Sequence, residues 1–428
     1  MNKKQLASNI SVSLAGGPWF AEHLKHALFK RLPTPLHRLC DPLARELITR
    51  LPSLYAPKAS VISDTLQQLH GLNVIYRYCH RYQIWPNIDL TPPQMAPIAT
   101  FASLDIPPIP TLKDLAEWLT LPPERLDYFA DPEARQENNA EIAINNYHYS
   151  WRAKKTQGTR LIEAPKPNLK LMQRQVLHRI LDHVPTHPDA FGFVRGRNCL
   201  DAARRHAGEE VVIRFDLKTF FPSISAGRIY GLFRCLGYPN NVARYLTGIC
   251  TTKTPHWVVE RLPYEDRHIF RQKHLPQGSP ASPALANLAA HTLDRRLSAL
   301  ARTLGASYSR YADDLSFSGA HSITRPILRH VPLIISNEGF HLNHAKTRVM
   351  PATARQTITG IVVNRHLNIA RKDYDRLKAI IHTCHHDNPR WRDDAAFRAK
   401  LLGQIAWVEA VNPRRGQKLR ARLEAKAG

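Results

Sequence analysis

A chain of 428 residues with 43% hydrophobic and 22% charged side chains has the composition of a folded protein, long enough for two to four lobes with buried cores. Sixty Lys and Arg stand against thirty-five Asp and Glu, and the resulting net charge of +25 is spread along the whole length. That balance points to a polyanion, with nucleic acid the leading choice and an anionic membrane surface the competitor. No apolar run of about 18 residues and no long basic helix with an apolar anchor face occurs, so no membrane partner is expected.

The six cysteines, Cys40, Cys79, Cys199, Cys235, Cys250 and Cys384, form no Cys-x-x-Cys pair, which excludes a zinc ribbon and a disulfide framework. The apolar stretch after the basic start is broken by Ser, Asn and Gly-Gly-Pro, so no secretory signal is read and a cytoplasmic location is expected.

Residues 1–84 alternate short amphipathic helical patterns with basic residues, as in Ala21 to Lys30 and Ala44 to Leu51. Periodicity leaves open whether their charge is a solvated face or faces RNA. Prolines at 86, 92, 93, 97, 107, 108 and 110 make residues 85–110 a linker or wrapping arm. Thr111 then caps a helix through Leu119, and a second short helix opens at Pro122, giving a short helical segment over 111–146.

From Tyr147 to Lys170, apolar and basic side chains alternate around Gly158, which predicts a basic β-hairpin leading into a helix over Leu171–Leu181. Lys154, Lys155, Arg160 and Lys166 could grip phosphates or simply face solvent. Val211 to Leu217 reads as a buried strand ending in a carboxylate, Asp216, which must be paired, coordinated or placed in a cleft. Helical segments follow from Ala226 to Cys250, then an irregular polar stretch to Arg271. Leu275-Pro-Gln-Gly-Ser279 forms a tight turn presenting Gln277, with Ser282 as N-cap and Pro283 as first residue of a long helix through Arg296.

The run Tyr308 to Ser318 places Asp313 and Asp314 at the tip of an aromatic-rich hairpin. Two adjacent carboxylates repel each other, and a divalent cation, magnesium by its preference for carboxylate and phosphate oxygen, relieves this. A helix over 324–338, strands around Val349 and Ile358–Val363, and a basic helical tail from Arg371 complete the chain. His382, Cys384, His385 and His386 lack a second ligand pair at zinc spacing and are not read as a metal site. Asp216, Asp313 and Asp314 together supply the carboxylates that two-metal phosphoryl transfer needs.

Phe215-Asp-Leu-Lys-Thr-Phe-Phe-Pro-Ser-Ile224, Leu275-Pro-Gln-Gly-Ser-Pro-Ala-Ser-Pro-Ala284, Tyr311-Ala-Asp-Asp314 and Gly339 through Lys346-Thr347 resemble, in order and rough spacing, the palm motifs of reverse transcriptases. The resemblance covers roughly residues 147–425 and is similar in particular to bacterial retron-type enzymes, through Gly192 to Asn198, Ile358 to Asn364 and Leu401 to Val408 with Asn412-Pro413. One departure is that retron enzymes often carry Asn-Ala-x-x-His where this chain has Ala202-Ala-Arg-Arg-His206.

The resemblance implies an α+β right-hand polymerase with an N-terminal helical extension: fingers over 147–210, palm over 211–365 and a helical basic thumb over 366–428. It implies RNA-directed DNA synthesis with two Mg2+ ions held by Asp216, Asp313, Asp314 and the backbone carbonyl of Leu217. Phe221 would be the steric gate against a 2′-hydroxyl, Gln277 would contact the nucleotide, and Arg160 with Lys154 or Lys155 would hold the triphosphate. Lys346 would protonate pyrophosphate. Implied partners are dNTPs, a structured non-coding RNA acting as template and primer, its RNA–DNA product and an effector or toxin protein. The role implied is anti-phage defence. The rival readings are a non-retron bacterial reverse transcriptase, either defence-associated, which the missing Asn ahead of His206 leaves open, or an intron-type maturase, then an RNA polymerase and a catalytically silent RNA-binding scaffold; the absent Cys/His-rich tail, Phe221 and the intact acids disfavour the last three in turn.

Overall fold

The computed structural model describes residues 1–15, 19, 21–52, 57–86, 94–132, 145–153, 159–384 and 388–427. The chain divides into two compact units, Met1–Pro185 with Ile224–Leu285, and Thr186–Ser223 with Ala286–Gly428.

The first unit begins with helices Lys3–Ala15, Ala21–Phe29, Cys40–Arg50, Ala59–Gln68 and His70–Tyr82. Their apolar residues recur at helical spacing, so Leu6, Ile10 and Leu14 meet Leu43, Leu47, Ile62, Leu66, Leu72 and Ile75 in one core. The described part of the Pro-rich arm contains a 3-10 turn at Ala99–Phe101 and otherwise runs without regular structure. It follows the end of helix Ala226–Cys235, where Ile98 donates to the Cys235 carbonyl at 3.1 Å and Ala96 to that of Gly237 at 2.9 Å. Thr111 caps helix Leu112–Trp118 through a reciprocal box with Asp114, as its sequence predicts.

Strands β1 (Tyr147–Ala153) and β2 (Thr159–Pro165) form the expected hairpin. The next helix starts earlier than apolar periodicity suggests, at Pro167, whose fixed φ suits a first helical position; it ends at Arg179. The stretch to Arg271, expected to be irregular, instead holds helices His256–Val259 and Arg267–Phe270. Val258, Val259, Leu262 and Phe270 face inward there and pack with Leu161 of β2, so burial organises a segment whose overall polarity hides it.

The second unit is built on a five-stranded antiparallel sheet. Its members are β3 (Val211–Lys218), β4 (Ser307–Tyr311), β5 (Asp314–Gly319), β6 (His341–Leu342) and β7 (Arg348–Pro351). β3 is central: β5 lies on one side, and β7 and β6 share the other, opposite its first and second halves. β3 is apolar on both faces because both are covered. The helix expected to run unbroken to Arg296 is two, Ser282–Ala289 and His291–Thr303, interrupted at Ala290. Ser282 lies in the first turn rather than ahead of it, and its hydroxyl makes no capping bond.

Strands β8 (Thr357–Ile358) and β9 (Ile361–Val362) precede helices Arg371–His382, Pro389–Asp393, Ala395–Val411 and Pro413–Ala427. Ile358, Ile361, Leu377, Ile381, Leu401, Ile405, Val408 and Leu419 make their common core. Cys384 is buried, while His385 and His386 lie outside the described residues. Among the described residues no helix is long and apolar enough to cross a membrane.

Candidate active site

The strongest local signal, Tyr311-Ala-Asp-Asp314, folds as the two-residue turn between β4 and β5, with Ala312 and Asp313 at the tip and Asp314 opening β5. Ala312 has φ 57°, a left-handed conformation a two-residue hairpin turn demands. In the β3–β5 register Asp314 is the direct partner of Asp216, and the Leu217 N–H donates to the Asp313 carbonyl at 2.9 Å. Three acids separated by about a hundred residues in sequence therefore meet at one end of the sheet.

Their charge is partly balanced from within. Lys346 Nζ donates to Asp216 Oδ1 at 2.7 Å and Asn343 Nδ2 to Asp216 Oδ2 at 3.1 Å. Arg214, two residues before Asp216 on β3, donates to Asp314 Oδ1 at 3.1 Å. Asp313 keeps the unfavourable share: burial, then the negative charge of Asp314 and Asp216, raises its carboxyl above the usual carboxylate range.

Among the described residues no group of three or more His, Cys, Asp or Glu side chains is arranged so as to hold a metal ion. Two of the three carboxylates here have oxygens occupied by Lys346, Asn343 and Arg214. The donor set, three carboxylates with Asp313 raised above its ordinary value by burial and then by its acidic neighbours, is in its chemistry one that a hard divalent cation suits.

Phe221 follows β3 and is half-buried, its ring centroid 5.5 Å from Phe220 and 6.1 Å from Phe193. Phe193, exposed at 52% and at φ 61°, also lies 6.5 Å from Tyr311, so three separate motifs contribute to one aromatic group. The first unit contains the other expected nucleotide contacts. Arg160 is exposed on β2 opposite Arg152, and the Gln277 carbonyl accepts the Glu163 N–H at 3.0 Å. Gly278 next to it has φ 149°, and a Cβ there would stand 2.7 Å from the Glu163 carbonyl oxygen. The turn and β2 thus approach as closely as glycine permits. Lys154 and Lys155 lie outside the described residues.

Sequence reading missed the support behind the turn. Arg310 and Asp294 are both fully buried and joined by two bonds, Nε to Oδ1 at 2.8 Å and NH2 to Oδ2 at 2.6 Å. NH1 of the same guanidinium donates to Asn287 Oδ1 at 2.9 Å and to the Ala312 carbonyl at 3.2 Å. Asn287 Nδ2 in turn donates to the Gly192 carbonyl at 2.8 Å, and a Cβ on Gly192 would stand 2.6 Å from the Ala312 nitrogen. A signal existed: an acid on the apolar face of helix His291–Thr303, among Leu293, Leu297 and Ala301, requires a buried cation.

His206 is also structural here. Its ring nitrogens each lie 2.7 Å from a hydroxyl, Ser318 and Ser309, and burial pushes its pKa down to about 3. Ala202 is equally buried, so the position that departs from Asn-Ala-x-x-His is a packing position in this chain.

Residues 152–363 match the family described as "Reverse transcriptase (RNA-dependent DNA polymerase)". The chain is 39% identical over 277 residues to the Retron Mx65 reverse transcriptase of Myxococcus xanthus, covering 63% of this chain and 62% of that one. It is 34% identical over 330 residues to the Retron Mx162 reverse transcriptase of the same organism, covering 72% and 65%. With the Retron Ec86 reverse transcriptase of Escherichia coli it shares 34% over 226 residues, covering 52% and 64%. The matches thus span less than two thirds of each relative's length. Among solved structures, a foamy viral protease-reverse transcriptase with double-stranded DNA aligns at a TM-score of 0.36 and 14% identity, over 78% of this chain and 49% of that chain.

Proposed function

We propose that this chain, a reverse transcriptase by family and α+β in fold, is an RNA-directed DNA polymerase of retron type that copies a structured non-coding RNA into single-stranded DNA. The observation that carries the reading is the pairing of Asp216 with Asp314 across β3 and β5, with Asp313 at the adjoining turn. The net charge of +25 suits a nucleic-acid template.

In the proposed reaction a primer hydroxyl attacks the α-phosphorus of a dNTP, one P–O bond forms, the bond to pyrophosphate breaks, and pyrophosphate leaves. Asp216, Asp313 and Asp314, with the Leu217 carbonyl, would hold two Mg2+ ions. When bound, these ions lower the pKa of the attacking hydroxyl and neutralise charge on the leaving group. Lys346 and Arg214 keep the same carboxylates oriented, and Lys346 is the residue of this site from which a proton could reach pyrophosphate. Phe221 is proposed as the sugar gate, a role supported by its place beside Phe193 and Phe220. Gln277 and Arg160, with Lys154 or Lys155, are proposed as nucleotide contacts from the fingers.

The proposed division is an N-terminal extension over 1–84, an arm over 85–110, a helical segment over 111–146, fingers over 147–210, palm over 211–365 and thumb over 366–428. A cytoplasmic role in anti-phage defence, with an effector or toxin protein as partner, follows from the retron-type reading. The test is Asp313→Asn in a primer-extension assay with labelled dNTPs. Loss of product with RNA binding retained is expected, and continued DNA synthesis would refute the catalytic assignment.

A further inference from the structure

Helix His70–Tyr82 buries most of its apolar residues on one side, with Val74 half-buried on the other. Leu72, Ile75 and Cys79 are fully buried in the core of the N-terminal helices, and Tyr76 and Tyr78 pack partly against the same core. The opposite face contains Arg77 and Arg81, one turn and about 6 Å apart along the axis, both exposed. Beside them Tyr78 and Tyr82 are a second pair at the same spacing, with ring centroids 4.6 Å apart. Tyr82 is 53% exposed, and the Arg81 guanidinium lies 5.6 Å from its ring centroid.

No acid occurs in this helix. Of the four acids in the five-helix group three pair locally, Glu22 with Lys25, Asp41 with Arg45 and Glu46 with Arg50, and the fourth is Asp64 on helix Ala59–Gln68.

We propose that this face is a binding surface for unpaired RNA, distinct from the polymerase site. Guanidinium groups one turn apart suit successive phosphates, and the exposed Tyr82 ring, backed by the half-buried Tyr78, supplies a face on which an unstacked base lies. A-form duplex offers no such base faces, since its bases are stacked and its major groove is too narrow for side chains. An anionic membrane is the poorer fit for this helix: its Leu72, Ile75 and Cys79 are already in the core, and guanidiniums and the Tyr82 hydroxyl remain outside. The inference does not rest on the polymerase reading, because the surface needs only RNA, not synthesis.

The experiment uses the full chain and measures anisotropy of labelled oligouridine, without dNTPs, across a salt series. Arg77→Gln with Arg81→Gln should weaken binding about tenfold and make the slope of log K against log salt shallower by about 1.4, the value for two single-strand phosphate contacts. Tyr82→Ala should weaken it about fivefold or more with the slope unchanged, as loss of one stacking contact requires. Ultraviolet crosslinks from the RNA should fall on Tyr78 or Tyr82, and far-ultraviolet circular dichroism should be unaltered in all variants. Unchanged affinity and slope, or crosslinks confined to other segments, would overturn the proposal. So would variants that lose binding to phosphatidylserine vesicles while binding RNA normally. Because no step involves DNA synthesis, an inactive polymerase site would leave this result untouched.

Discussion

The Arg310 guanidinium and the Asp294 carboxylate form an ion pair with neither side chain exposed, and the same guanidinium also donates to the Ala312 carbonyl. One residue thus joins a helix acid to the backbone immediately before Asp313. Segment 189–191 completes the enclosure by pairing with the free edge of β4, where Phe191 donates to the Arg310 carbonyl at 2.8 Å and Arg310 to that of Asp189 at 2.8 Å.

Arg310→Met should therefore leave Asp294 buried without its cation and cost about 3–5 kcal/mol of stability, read from urea unfolding. Adding Asp294→Leu should recover part of the loss, because a buried pair removed as a unit leaves no orphaned charge. Equal stability of the single variant and the wild type would show that the pair does not act as a buried clamp.

Gly192→Ala would place a methyl carbon 2.6 Å from the Ala312 nitrogen. The turn must shift, and a displacement of order an ångström near reacting groups costs about a hundredfold in rate. Single-nucleotide extension should fall by that factor while the melting temperature moves little. Full activity would mean that the turn tolerates the added carbon.

Phe221→Ala should relax sugar selection, raising the use of ribonucleotides relative to deoxyribonucleotides by roughly 10- to 100-fold in kcat/KM ratio. The ring lies 6.1 Å from Phe193, so Phe193→Ala should produce a weaker change in the same direction. Selection identical to wild type in Phe221→Ala would remove the gate assignment.

Two buried histidines should act oppositely on stability with pH. Burial opposes protonation of His274, but attraction and a 3.0 Å hydrogen bond to the fully buried Glu163 more than offset it, and its pKa is raised. Its contribution is full below the unfolded value near 6.5 and is lost as pH rises through the folded value. His206, lowered by burial to about 3, contributes above about 6.5 and loses that contribution as pH falls toward 3. In urea unfolding, the stability advantage of wild type over His274→Gln should shrink as pH rises above about 6.5. An advantage independent of pH would contradict the ion pair.

The sequence by itself determined the α+β character, the amphipathic N-terminal helices, the β3 strand ending in Asp216 and the hairpin turn at Asp313. Each is a local pattern: helical or alternating periodicity, a capping residue, a short turn between aromatic strands. The tertiary structure decided what periodicity cannot encode. Lys346, Asn343 and Arg214 come to the acids from positions set by strand register, and Arg310 finds Asp294 only when a helix packs beneath β4. The break at Ala290 and the small core around Phe270 likewise arise from packing that outweighs local preference. Charged residues carry no partner label in sequence, since their pairing depends on which surfaces burial brings together.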